Sequence, residues 1–272
     1  MTFLWSLQLA TWLTANAGAL PQPTVRVATI AYPGGTPGQL GCRTDRCAFE
    51  QLIRLASAEG AKIVVTAEYG MPQRNAEPRL LLGKRPVQSL APLHTWLAGL
   101  AAELDLYLGV DLETEDTRGR AFNSFVVFDP EGSIAARHDK IELFEGERQT
   151  MTPGARVTTL DSPYGRLGLL ICADLYAEPV LHHELLEGHR PHIVLVSAAW
   201  TVPVATRWQA AFAHDWKVHV VAANASLGSG RGGGIFSADG RSVGRAGPTQ
   251  DIVLADIPVA PIRGSVGSNL QR

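Results

Sequence analysis

Three reactive side chains stand where apolar runs of this 272-residue chain give out. Glu68 follows "IVVTA", Lys140 follows "SIAARHD" and Cys172 follows "RLGLLI". In α/β sheets ligands collect beyond the carboxyl ends of strands, so these positions have a reason to converge. A thiol, a carboxylate and an ammonium in one hollow form a self-consistent nucleophile site. The carboxylate takes the thiol proton, and the ammonium is expected to lower the thiol pKa by favouring the thiolate. Backbone N–H groups just after Cys172, at the start of an expected helix, can face a developing oxyanion. Taken singly, each residue has a plainer use. A cysteine ending a core strand is usually buried filling, a lone glutamate a surface or ion-pair group, and a lone lysine a solvated charge. The lysine stands out slightly, because only four of the 24 basic residues are lysines (Lys62, Lys84, Lys140, Lys217) and the two basic side chains differ chemically.

The elements that must position these residues follow from hydrophobic periodicity. "VRVATIAY" (25–32) reads as a strand, and Cys47–Gly60 as a helix capped by Thr44 or Asp45 and stopped by Gly60. "KIVVTAEYG" is a buried strand entering a loop at Glu68. A Pro-rich connection precedes a helix over Ser89–Leu104 and the strand "LYLGVDL". "AFNSFVVFDPEGSIAARHDK" reads as a hairpin around Pro-Glu-Gly. A strand over Arg166–Ile171 is followed by a helix over Tyr176–Glu187, the strand "HIVLVSAAW", the helix "VATRWQAAFAHDWK" and the strand "VHVVAANAS". Further strands surround an Asp-Gly turn in "GGGIFSADGRSVGRA" and "DIVLADIPV". Alternation of strands and helices predicts an α/β protein with a mixed sheet covered by helices, in one domain over 20–260 with a loose tail over 261–272.

Composition narrows the partners. A net charge of −2 provides no basic face for phosphate backbones, so nucleic acid is not an expected partner. Residues 1–19 carry no charge and end in an Ala-x-Ala pattern, which predicts a signal peptide cut after Ala19 and a secreted or extracytoplasmic protein. The rival reading is an N-terminal helix packed on the domain. The apolar part is too short and interrupted for a stable membrane span. Cys42 and Cys47 in "GCRTDRC" are placed to close a disulfide in an oxidising compartment, leaving Cys172 as the odd thiol.

Other constellations compete for the chemistry. His182, His183, Glu187, His189 and His192 cluster around one expected helix, and a zinc site there would make a metallohydrolase. No ligand signature such as His-Glu-x-x-His supports it, so the expectation is no metal and no cofactor. A papain-like pair of Cys172 with His214 or His219 has no local signature. The run "GSGRGGG" (228–234) resembles a phosphate cradle but enters a strand rather than a helix. A catalytically silent binding module on the same fold also remains open.

"VVTAEYG", "ARHDKIELFEGE" 72 residues on and "GLLICADLYAEP" a further 32 on together resemble the nitrilase superfamily of carbon–nitrogen hydrolases. "AFNSFVVFDPEG", "VLVSAAW" and "VVAANAS…GGGIFSADG" are similar to further strands of that family, so the resemblance runs from Val25 to about Pro258. Within it, the strings around Lys140 and Cys172 look most like the secreted vanin/biotinidase, pantetheinase-like branch, including an aspartate two residues past the cysteine. The resemblance implies a four-layer αββα sandwich of two mixed sheets. It also implies Glu68 as general base, Cys172 as nucleophile, Lys140 as oxyanion stabiliser beside the Ala173 N–H, and Glu147 as a supporting glutamate. The implied substrate is a small-molecule amide, because "CAD" departs from the Trp-Glu that follows the cysteine in most true nitrilases. Relatives often form homodimers. Ala173 stands where many relatives carry an aromatic, and the segment from Gly70 to Pro86 is shorter than in the vanin-like branch, so the pocket wall differs.

Overall fold

A computed structural model describes residues 22–32, 39–70, 80–81, 91–176, 184–200, 205–225, 233–247, 249 and 251–260. The expected signal peptide and C-terminal tail lie outside these residues. One sheet runs β12-β13-β1-β2-β4-β5-β6, with β3 paired to β4. Its strands are β1 (Thr24–Ile30), β2 (Ile63–Thr66), β3 (Leu80–Leu81), β4 (Tyr107–Glu115), β5 (Ala121–Phe128), β6 (Ile134–Asp139), β12 (Arg245–Ala246) and β13 (Ile252–Pro258). The second sheet runs β11-β10-β9-β8-β7, with β7 (Thr158–Ser162), β8 (Gly165–Ile171), β9 (Ile193–Ala198), β10 (His219–Asn224) and β11 (Gly234–Phe236). Both mix parallel and antiparallel pairs: β1·β2, β2·β4, β8·β9 and β9·β10 are parallel, and β4·β5, β5·β6 and β7·β8 antiparallel.

The sheets pack face to face. Val27, Ile63, Val65, Phe125 and Val127 from the first meet Leu167, Leu169, Leu195 and Val221 from the second in one apolar cluster. The outer face of the first sheet, through Ile30, Val64, Val126 and Phe128, carries α1 (Asp45–Ala58) and α2 (Ala91–Leu104). The outer face of the second, through Leu170, Val194, Val196 and Val220, packs with Phe212 and Ala213 of α3 (Ala205–Trp216). The result is the four-layer αββα sandwich in a single domain. Burial on both faces explains why "AFNSFVVF" shows no polar alternation, as all eight β5 residues are buried.

Local signals act as expected in most places. Thr44 caps α1, its Oγ1 accepting the Cys47 N–H at 3.2 Å, and Gly60 follows with φ 87°. The β5–β6 hairpin turns at Asp129–Gly132, where Gly132 adopts φ 77° and donates to the Asp129 carbonyl at 2.9 Å. Cys42 and Cys47 form a disulfide with Cα atoms 5.5 Å apart. The long helix expected over Tyr176–Glu187 does not appear in the described part. A 3₁₀ turn covers Cys172–Tyr176 and a π-helical turn covers Glu184–His189, with residues 177–183 outside the described set. No helix among the described residues is long and apolar enough to cross a membrane.

Candidate active site

β2 and β6 point the same way in the first sheet, because β4 runs parallel to β2 while β5 and β6 each reverse direction. Glu68, two residues beyond β2, and Lys140, immediately beyond β6, therefore emerge at one edge. Cys172 leaves the end of β8 in the facing sheet. Two bonds stitch the sheets beside them: Ser197 Oγ donates to the Thr66 carbonyl at 2.8 Å, and the Glu68 N–H donates to the Ala198 carbonyl at 3.3 Å. Glu68, Lys140, Glu147 and Cys172 line one cavity of about 470 Å³.

Lys140 sits between two carboxylates, its Nζ 2.7 Å from Glu68 Oε1 and 2.7 Å from Glu147 Oε2. Glu68 and Lys140 are both buried, so each charge exists only because the other faces it. Cys172 adopts φ 45°, a left-handed backbone that non-glycine residues enter at a cost. This sharp turn ends the strand and leaves the residue partly exposed, lining the same cavity as Glu68, Lys140 and Ala199. Ala173 follows, buried in the turn.

The protonation pattern follows from burial and charge. Burial, and then the Glu68 charge, push the Cys172 thiol well up, and together they outweigh the pull of Lys140 and the Ala199 N–H. This corrects the expectation of a thiol lowered by lysine: the sulfur is largely buried, and the cation is already shared by two carboxylates. Burial raises Glu68 also, against the opposing effect of Lys140. Burial pulls the Lys140 ammonium down, but Glu68, Cys172 and Glu147 more than reverse that and hold it above its ordinary value. Glu147 ends below the carboxylate range, because bonds from Lys140, Tyr69 and Asn123 outweigh its burial. The resting site is a neutral thiol beside a carboxylate that can take its proton.

Several contributors escaped the sequence reading. Asn123, the one amide in the apolar β5, is buried, and its Nδ2 lies 2.9 Å from Glu68 Oε1 and 2.8 Å from Glu147 Oε1. Tyr69, at φ 54°, donates its hydroxyl hydrogen to Glu147 Oε1. Its N–H donates to Oδ1 of buried Asp111 at 3.0 Å. Burial, and then the Glu68 charge, raise Asp111 well above the ordinary aspartate range. Asp174 was noticed only as part of the resemblance, yet it ties the strand of the lysine to that of the cysteine. It accepts the N–H of Ile141 at 3.1 Å, of Glu142 at 2.8 Å and of Ile171 at 3.0 Å, and faces His138 Nε2 at 2.9 Å. Gly154 presses on the lysine's backbone, its N–H donating to the Lys140 carbonyl at 2.8 Å. A Cβ there would stand 2.0 Å from the Asp139 carbonyl oxygen. The visible signal for these residues was a lone polar residue in an apolar strand, or a glycine in a loop.

The rival constellations do not assemble in the described residues. No group of three His, Cys, Asp or Glu side chains converges there as a metal ion would need; His182 and His183 lie outside them. His192 places Nε2 2.6 Å from the Pro258 carbonyl and packs edge-on against His219. His219 begins β10 level with Leu167, whereas Cys172 lies past the far end of β8, roughly 16 Å along the strands. His214 is paired with Asp215 at 2.9 Å on α3. Residues 226–232, most of the glycine-rich run, fall outside the described set.

Comparison with known proteins adds an independent line. The family model described as carbon-nitrogen hydrolase matches residues 48–264. The chain is 33% identical over 142 residues to omega-amidase NIT2 of Homo sapiens, covering 48% of this chain and 49% of that protein. It is 28% identical over 247 residues to omega-amidase NIT2 of Xenopus tropicalis, covering 82% and 87%. The first of these relatives is thus matched over only about half its length. Yeast (Saccharomyces cerevisiae) Nit3, a member of branch 10 of the nitrilase superfamily, shares the fold with a TM-score of 0.70 at 22% identity, covering 86% of this chain and 90% of that one.

Proposed function

Because the chain belongs to the carbon–nitrogen hydrolase family, we propose that it is an amidase working through a Cys172 thioester, with Glu68 as base and Lys140 as oxyanion partner. The observation that carries this reading is the convergence of these three groups on one cavity, with the lysine shared by two carboxylates at 2.7 Å. As the sulfur forms a bond to the amide carbonyl carbon, Glu68 takes the thiol proton. The carbonyl oxygen becomes an oxyanion facing the Lys140 ammonium and the Ala173 N–H. On collapse the C–N bond breaks and Glu68 hands its proton to the departing nitrogen. Water then attacks the thioester while Glu68 accepts its proton. The C–S bond breaks, the acid leaves, and the proton returns to the sulfur. A thiol kept neutral at rest suits this order, because the proton is already beside its acceptor.

The test is ammonia release from a panel of primary amides by the wild type, with acyl-enzyme trapped and weighed intact. Cys172→Ala should abolish both signals, and full activity in that variant would refute the mechanism. The relatives reported above are omega-amidases, while the strings around Lys140 and Cys172 resemble the pantetheinase and biotinidase branch. Pantetheine and biotinyl amides, which are N-substituted and are read by release of the amine instead of ammonia, are added to the panel for that reason. We also propose export: the uncharged leader ending at Ala19 and the Cys42–Cys47 disulfide both suit an oxidising compartment. N-terminal sequencing of the protein from its source should begin at Leu20, and an intact Met1 would overturn the proposal.

A further inference from the structure

Five large hydrophobic side chains are exposed among the described residues: Leu40, Tyr69, Phe144, Tyr176 and Trp208. All but Leu40 line the cavity that holds Cys172, and Trp200 adds a fifth ring from its buried side. Exposed aromatic surface is thus concentrated at one mouth instead of scattered singly, the pattern that marks a binding site. Tyr176, at the end of the turn that begins with Cys172, and Trp208, on α3, pack with ring centroids 4.9 Å apart. Phe144, 68% exposed, stands in the loop that Glu147 anchors by accepting the Phe144 N–H at 2.8 Å. Both reacting elements therefore carry an aromatic arm.

The charges in the cavity point the same way. Among its described lining residues Lys140 is the one cation, and it is bonded to both Glu68 and Glu147. The described lining, with two carboxylates against one ammonium, is net negative. A substrate carrying a second carboxylate would meet repulsion there and find no described cation to receive it. An acyl group must stay in the cavity through both halves of the reaction, because it is bonded to sulfur between them, whereas the amine leaves after the first.

Resting on the amidase reading, we propose that the acyl group this site selects is uncharged and aromatic, an aryl-alkyl amide, and that amides of dicarboxylic acids are discriminated against. Ring-on-ring contacts favour an aryl group over an alkyl group of equal area. Two measurements test this. In the Cys172→Ala background, tryptophan fluorescence titration should give at least tenfold tighter binding of 3-phenylpropionamide than of succinamate, with 3-cyclohexylpropionamide between them. In the wild type, the ratio of kcat/KM for 3-phenylpropionamide over propionamide should exceed ten. Trp208→Ala, and separately Phe144→Ala, should cut that ratio at least threefold; both side chains are exposed enough for the variants to fold. Equal or tighter binding of succinamate, or a ratio unmoved by both substitutions, would overturn the proposal while leaving the amidase reading intact. Aryl-amide binding without ammonia release from any amide would sink the amidase reading and keep the aromatic subsite. Absence of aryl-amide binding would overturn the subsite and assign the exposed rings to contact with a macromolecule.

Discussion

Replacing Asp174 by asparagine should be among the most damaging near-isosteric changes in this protein. The carboxylate is buried and faces four donors: the N–H groups of Ile141, Glu142 and Ile171, and His138 Nε2. An asparagine offers one carbonyl oxygen. Placed where Oδ1 now lies, it keeps the Ile141 and Glu142 bonds but strips them of charge, costing about 1 kcal/mol each from the difference between charged and neutral acceptors. The amide NH₂ then confronts the Ile171 N–H, donor against donor, leaving a buried N–H unpaired at about 1–3 kcal/mol. His138 is able to accept from the NH₂ only by moving its proton to Nδ1, which is buried without a hydrogen-bond partner, at a similar further cost of about 1–3 kcal/mol. The combined loss is about 4 kcal/mol or more, a large share of the ~5–15 kcal/mol that holds a typical domain together. Urea unfolding followed by tryptophan fluorescence reads the stability. Because Ile141 and Glu142 directly follow Lys140 and Ile171 precedes Cys172, kcat should also fall at least tenfold in the fraction that stays folded. A variant within 1 kcal/mol of wild type and fully active would refute the reasoning, because it would mean that the four bonds carry no net weight.

Other outcomes follow from the same geometry. Asp111 holds its proton in the folded state at pH values where the unfolded chain has lost it, so its contribution to stability falls as pH rises above about 4. Asp111→Asn keeps an acceptor for the Tyr69 N–H, and its stability relative to wild type should climb between pH 4 and 8; a flat or falling difference in thermal melts contradicts this. Glu68 must be ionised to accept a proton and burial raises it, so the acid limb of kcat/KM should lie above the ordinary glutamate value of about 4.3. An acid limb at or below that value would show that Glu68 is not the base. Gly154→Ala drives a methyl group into the Asp139 carbonyl and should lower both melting temperature and kcat, while an unaffected variant would show that the loop yields freely. Replacing Cys42 and Cys47 by serine opens a short loop at the start of α1 and should cost about 2 kcal/mol on the chain-entropy account. Amide turnover at 25 °C should stay at the wild-type rate in that variant, which parallel melts and assays check.

Legibility in the sequence tracked how far each role depends on distant contacts. Glu68, Lys140 and Cys172 were readable because each is a reactive residue set directly after an apolar run, and the ends of strands are where α/β sheets place chemistry. The α/β class was readable from alternating periods, whereas the division into two sheets came only from the family resemblance. β5 and β10 are buried along their whole lengths, so neither shows which face meets the other sheet. Asn123 and Asp111 were invisible as site residues, because one polar residue in a buried strand looks the same whether it meets a carboxylate or a backbone group. Their partners lie 55 and 42 positions away.

The error about the thiol is the most instructive, because it came from counting charges by pairs. A lysine beside a cysteine lowers the thiol pKa when that cation is free to serve it. Here Nζ already has carboxylates on two sides, Asn123 locks both of them in place, and burial of the sulfur withholds the solvation a thiolate would need. The same three charges that looked like an activating set in sequence therefore hold the sulfur neutral until a carbonyl carbon arrives. In the proposed mechanism what the lysine does best is meet a second negative atom, the oxygen that becomes charged as the C–S bond forms. Preorganised charge costs nothing at the moment of reaction, and a cation held between buried Glu68 and the half-buried Glu147 cannot swing away to be used otherwise. On that proposal the lysine stabilises the transition state more than the resting sulfur, which is the difference that catalysis requires.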